Sequence, residues 1–249
     1  MITYQYTQKD WTTFKEGIKR EWAVTNGIGG YAGSSMIGAH SRTHQGELIA
    51  SLHAPIERYL VFSKINETAT VGTSTVSFET SQHCASGKTV YTEGQKFLTS
   101  FIYDGSVHYT YETDNFSFEK HITLKRNANV CAVAYELTAG DSDCTFTLTP
   151  LFNYREHSES STPDTLRHLQ KTGHFILFRK KIKILPFVFR QVKELFPNAK
   201  LFMTSTCSYR LKWILRQMGL TAITVRLTCP LQFLPTQPKK FPSCAVSVT

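Results

Sequence analysis

Arg42-Thr43-His44-Gln45-Gly46 gathers a guanidinium, an imidazole and a carboxamide just ahead of the apolar run Leu48-Ile49-Ala50. Together these groups supply donors and acceptors for hydroxyl groups on a ligand, or for bracing their own loop. Upstream, Trp22-Ala23-Val24-Thr25-Asn26 leads into the glycine-dense turn Gly27-Ile28-Gly29-Gly30, followed by Tyr31-Ala32. Glycine permits positive φ and close backbone approach, and polar tips beside such a turn suit a loop that touches a ligand. The residues singled out as ligand-binding are Trp22, Asn26, Arg42, His44 and Gln45. Trp22 and Tyr31 either stack on a ring-shaped ligand or anchor the core, since an aromatic face suits both.

Other chemistries fit less well. Gly27, Gly29 and Ala32 match the dinucleotide fingerprint G-x-G-x-x-G/A, but that fingerprint needs a helix behind it, and Gly33 and Gly38 punctuate the residues after Ala32. His40 and His44 have the spacing that aims two imidazoles at one metal on a helix, yet the segment has no helical period and no third ligand. No metal or cofactor is therefore expected. Nothing points to a nucleophile elbow. Of Glu21, Glu47 and Glu57, only Glu47 is expected to approach a ligand, and one carboxylate cannot serve as both the acid and the base of a catalytic pair.

The elements that must position these residues read as strands. Trp22–Val24, Leu48–Leu52, Tyr59–Phe62 and Val71–Phe78 are short apolar or β-branched runs. Phe97–Tyr103 and Val107–Thr113 flank Asp104-Gly105, a favoured hairpin turn. Phe116–Lys125 alternates through Phe116, Phe118, Ile122 and Leu124, with a slip near His121. Val130–Leu137 and Cys144–Phe152 come next, separated by Asp141-Ser142-Asp143. Short strands at this spacing predict an all-β fold, an antiparallel β-sandwich.

Charge divides the chain. Residues 1–170 hold 14 Lys/Arg and 18 Asp/Glu, whereas residues 171–249 hold 14 Lys/Arg and one acid, Glu194. The first segment is an ordinary domain composition. The second is a basic tail in which Val188–Phe196 and Tyr209–Met218 read as short helices, and whose composition also fits a shifted reading frame or a disordered segment. Its Lys and Arg form no amphipathic stripe, which disfavours nucleic acid as a partner. The six cysteines lack C-x-x-C spacing, so neither a disulfide framework nor a zinc ribbon is expected, and Cys131 and Cys144 read as core thiols. The N-terminus lacks a basic segment followed by an apolar one, and no apolar run approaches a membrane span. The expected compartment is the cytoplasm, with no membrane partner.

Residues 22–32 resemble the opening motif of the bacterial and archaeal type of glycogen debranching enzyme, the amylo-α-1,6-glucosidases. Arg42-Thr43-His44-Gln45-Gly46 with Leu48-Ile49-Ala50 resembles the family's second motif, with Glu47 standing where an apolar or aromatic residue is expected. Arg58-Tyr59-Leu60-Val61-Phe62-Ser63-Lys64 resembles the third, and Pro150-Leu151-Phe152-Asn153-Tyr154-Arg155-Glu156-His157 a fourth. The resemblance covers residues 15–170 and implies a supersandwich-like N-terminal domain packed on a catalytic (α/α)6 barrel that carries the catalytic carboxylates. On that reading the chain is an N-terminal fragment that supports binding of an α-glucan, glycogen or limit dextrin, and is inactive alone. The alternative is a free-standing carbohydrate- or anion-binding module. Arg42, His44 and Gln45 then either meet sugar hydroxyls or brace the loop, and Asn153, Arg155 and His157 either join them or brace the domain edge.

Overall fold

The computed structural model describes residues 2–53, 56–85, 87–139 and 144–160, together with the strand segments 168–172, 175–179, 187–191, 200–205, 225–229 and 245–248. Two antiparallel sheets face each other. In the first, β1 (Tyr4–Thr7), β9 (Leu98–Tyr103), β10 (Val107–Glu112), β11 (Phe116–Leu124) and β12 (Val130–Ala139) lie side by side in that order. In the second the order is β13 (Cys144–Glu156), β5 (Glu57–Val71), β4 (Gly46–His53), β3 (Tyr31–Ser35) and β2 (Glu21–Thr25). β6 (Ser74–Ser77) pairs with β5, and β7 (Thr80–Ala85) with β8 (Lys88–Glu93). One helical turn, α1 (Phe14–Gly17), sits inside the stretch 10–19; Thr13 caps it by accepting the Glu16 N–H.

The core lies between the sheets and is built from alternate residues of each strand. Phe118 is its centre. Its ring stacks on Tyr111 at 4.8 Å and meets Phe78 at 4.9 Å and Phe146 at 5.0 Å. Cys131 and Cys144 are buried free thiols. The sandwich expected from strand spacing is the fold observed.

Three local readings differ. Val71–Phe78 is not one strand: Gly72, at φ +58°, turns the chain so that Val71 faces Ser74 across a hairpin. A residue without Cβ takes that conformation without strain, and the β-propensity of the flanking residues concealed the turn. β11 has no slip at His121, because Lys120 occupies the inward position between Phe118 and Ile122. Phe187–Gln191, which overlaps the start of the stretch Val188–Phe196 read as helical, is a strand, the third of the six segments from 168 onward, β14 to β19. Its Phe-Val-Phe run has the aromatic and β-branched character that favours a pleated surface. Residues 54–55, 141–143 and 209–218 lie outside the described residues.

Candidate functional site

The four motif segments are five adjacent strands of one sheet, β2-β3-β4-β5-β13. Their pairing is irregular here. Register shifts fall between Tyr31 and Gly33 on β3, at two points along β4, and around Phe152 on β13. Bulges re-aim side chains and gather beside functional sites. The bulge in β13 leaves Tyr154 and Arg155 both buried, consecutive residues that a regular strand would send to opposite faces.

The connection from β3 to β4 carries Arg42, His44 and Gln45. Gln45 is buried, and its Oε1 accepts the backbone N–H of Ser41 at 2.6 Å and of Arg42 at 3.1 Å, closing the loop on itself. The Arg155 guanidinium donates to the carbonyls of Thr43 at 2.5 Å, His157 at 2.9 Å and Glu156 at 3.1 Å, which binds the end of β13 to the same loop. Tyr31 donates its hydroxyl to the His44 carbonyl at 2.8 Å, and its ring meets that of His157 edge-on at 6.5 Å. Arg58 Nε donates to the Gly29 carbonyl at 2.7 Å, and Tyr59 stacks on Tyr154 at 5.1 Å. Ser41, Arg42, Thr43 and His44 stay exposed on this braced loop, and Arg42 and His44 carry its long polar side chains. Arg42 pairs with Glu21 at 2.5 Å, an exposed pairing of the kind that contributes little to stability.

Trp22 and Asn26 lie elsewhere. Trp22 faces the core and donates its indole N–H to the Tyr109 hydroxyl at 2.6 Å, which in turn donates to the Ser35 carbonyl at 3.2 Å. Asn26 is fully buried. Its Oδ1 accepts the N–H of Ile28 and of Gly30, and its Nδ2 donates to Ala128 O and Asn129 Oδ1. Those four bonds use the whole bonding capacity of the carboxamide and tie the glycine turn to the opposite sheet. A Cβ on Gly30 would meet Asn26 Nδ2 at 2.5 Å, so the clip requires glycine there. The residue after this turn opens β3, not a helix, so the dinucleotide fingerprint lacks its structural context.

Glu47 does not approach a ligand. Glu47, Glu67 and Lys120 are 3%, 4% and 6% exposed, and Lys120 Nζ lies 2.6 Å from Glu47 and 2.9 Å from Glu67. Tyr135 donates its hydroxyl to the same Glu67 oxygen at 2.6 Å. Lys64, at the rim, donates to the Thr80 carbonyl at 3.1 Å and sits 3.7 Å from Glu79. Burial would lower the pKa of Lys120, but the two carboxylates outweigh it and hold it above its usual range. Burial raises the Glu47 carboxyl, and Lys120 only partly offsets this. The cluster left two sequence signals, the apparent slip in β11 and Glu47 at a position where an apolar or aromatic residue is expected. A lysine in register with Phe116, Phe118 and Ile122 reads as a broken pattern unless acids on facing strands are known.

His40 lies beside the cluster, its Nδ1 3.4 Å from Ser63 Oγ. Its pKa is pushed down to about 3, first by burial and then by Lys64, Lys120 and Arg155. The unfolded chain therefore takes up this proton near 6.5, whereas the folded chain resists until about 3. Stability must fall as pH drops through that window. Chemical denaturation from pH 7.5 to 3 should show wild type losing stability relative to His40→Gln progressively below 6.5. Parallel curves would show that His40 contributes nothing to the pH dependence.

Chemically, the outward patch offers aromatic faces, an imidazole and a guanidinium for a neutral polar ligand. Glu21 is held by Arg42, and Glu156 by His157 and Ser158. No group of three His, Cys, Asp or Glu side chains converges on a point among the described residues, and His40 and His44 sit on a loop instead of a helix. No helix among the described residues is long and apolar enough to cross a membrane.

Comparison with known proteins bears on the same strands. No curated protein matches the chain. The family described as "Glycogen debranching enzyme N terminal" matches residues 20–212, which includes all four motif segments and extends beyond residue 170. The match spans most of the 249 residues, and the chain belongs to the family of glycogen debranching enzyme N-terminal domains.

Proposed function

We propose that this sandwich contributes to α-glucan binding in a debranching enzyme, through the outward face of β2-β3-β4-β5-β13. The observation that carries the reading is the braced β3–β4 loop, which is fixed at Gln45 and by Arg155 yet keeps Arg42 and His44 exposed. Preorganised donors bind at lower entropic cost than mobile ones. Arg42 and His44 meet sugar hydroxyls; Tyr31 and His157 supply ring surface beside them. Trp22, Asn26 and Gln45 act indirectly by holding the hairpin and loop in place. Cleavage of the α-1,6 bond falls outside the role of these residues, because Glu47 is pinned to Lys120 inside the sandwich. The basic segment 171–249 has no part in this reading.

Native electrophoresis in gels with and without glycogen tests it. Wild type should be retarded by glycogen, and the double variant Arg42→Ala/His44→Ala should migrate as in the glycogen-free gel. Equal retardation of both proteins would place the contact elsewhere.

A further inference from the structure

Between the sheets, Glu47, Glu67 and Lys120 border a cavity of about 20 Å³ that Ser34 on β3, Asn66 on β5 and Thr80 on β7 also line. The hydrogen bonds at this cavity do not close among protein atoms. An ammonium carries three donors. Lys120 directs one to Glu47 Oε1 at 2.6 Å and one to Glu67 Oε1 at 2.9 Å, which leaves one N–H. The other Glu47 oxygen, Oε2, is buried without a hydrogen-bond partner among the described residues, as are Ser34 Oγ, Asn66 Oδ1 and Thr80 Oγ1. A leftover donor and a leftover acceptor therefore sit on two groups already in contact. A buried carboxylate oxygen without a hydrogen bond is costly.

We infer that this cavity is a binding site for one enclosed water molecule, which accepts the third Lys120 N–H and donates to Glu47 Oε2. The volume suits it, because about 10–15 Å³ is enough for one water with two to four polar partners. The span suits it too. Oε2 belongs to the same carboxylate as the oxygen 2.6 Å from Lys120 Nζ, within reach of two bonds of about 2.8 Å through one oxygen. The charges select a neutral species that both accepts and donates. A metal cation cannot accept from the ammonium and would face Lys64 and Lys120 in the cavity wall. An anion cannot donate to Glu47 and would face Glu67 and Glu79. The water's second proton and second lone pair are available to the Ser34 and Thr80 hydroxyls. Among the described residues β7 pairs with β8 and with neither large sheet. A bond from this water to Thr80 ties that hairpin to the sandwich beside the Lys64 bond to the Thr80 carbonyl. A single enclosed water leaves the cluster closed to bulk solvent.

The test is a crystal structure of the full chain at a resolution that shows ordered water, alongside water magnetic relaxation dispersion, which counts long-lived internal waters in solution. Wild type should show a density peak within hydrogen-bonding distance of both Lys120 Nζ and Glu47 Oε2. The variant Glu47→Leu/Glu67→Leu/Lys120→Met, which removes both of these partners, should lack the peak and show one fewer long-lived water. The wild-type crystal structure decides the matter by itself if the variant does not fold. Equal numbers of long-lived waters in the two proteins would overturn the inference. So would a peak that avoids Lys120 Nζ, which would mark a cation, or no peak, which would mark a direct bond from Lys120 to a third protein oxygen.

Discussion

Lys120→Met should cost about 3–5 kcal/mol of folding stability at neutral pH, the range seen when one partner of a buried ion pair is removed. The substitution leaves Glu47 and Glu67 facing each other between the sheets without the ammonium that now bonds both. Their carboxyls then hold protons more tightly in the folded than in the unfolded chain, so the loss should shrink as pH falls. Glu47→Leu/Glu67→Leu/Lys120→Met should be more stable than Lys120→Met alone, because replacing a whole buried cluster with apolar groups is far less costly than breaking it. Denaturant titration at pH 7 and pH 5 checks both statements. A Lys120→Met loss below about 1 kcal/mol, or a triple variant less stable than the single one, would mean that the cluster is hydrated and not buried.

Trp22→Ala should cost about 3–5 kcal/mol, as for other large core aromatics. The indole fills the inner face of β2, and its N–H is held by Tyr109 across the sandwich. Trp22→Phe keeps the apolar bulk but removes the hydrogen bond, and should cost about 1–3 kcal/mol. If Trp22 instead stacked on sugar from the surface, Trp22→Ala would abolish glucan retardation in the glycogen gel while leaving the denaturation midpoint within about 0.5 kcal/mol of wild type. The two measurements on one variant separate the roles.

Trp22 shows what the sequence could and could not convey. A tryptophan ahead of a glycine turn has the same signature whether it faces ligand or core, because the strand's face depends on its neighbours' register. The strand pattern was legible because alternation is a local property: β9 to β12 follow from side-chain period and turn residues. Lys120 was not legible as a core residue, since its partners on β4 and β5 lie 73 and 53 positions away in the sequence. The loop residues fell between these cases. Arg42, His44 and Gln45 were visible as a polar group, but only the bonds from Ser41, Arg42 and Arg155 reveal that Gln45 is a brace and that the other two remain exposed. Asn26 was a candidate contact by type and proved to be a clip, because four internal bonds occupy its carboxamide.

Hydrogen exchange of the full chain, measured with and without maltohexaose and read by mass spectrometry, tests the glucan face most directly. Exchange should slow in the peptides covering residues 40–46 and 154–158, with no change in residues 107–124 on the opposite sheet. Protection confined to residues 107–124, or none anywhere at saturating maltohexaose, would contradict a glucan site on this face.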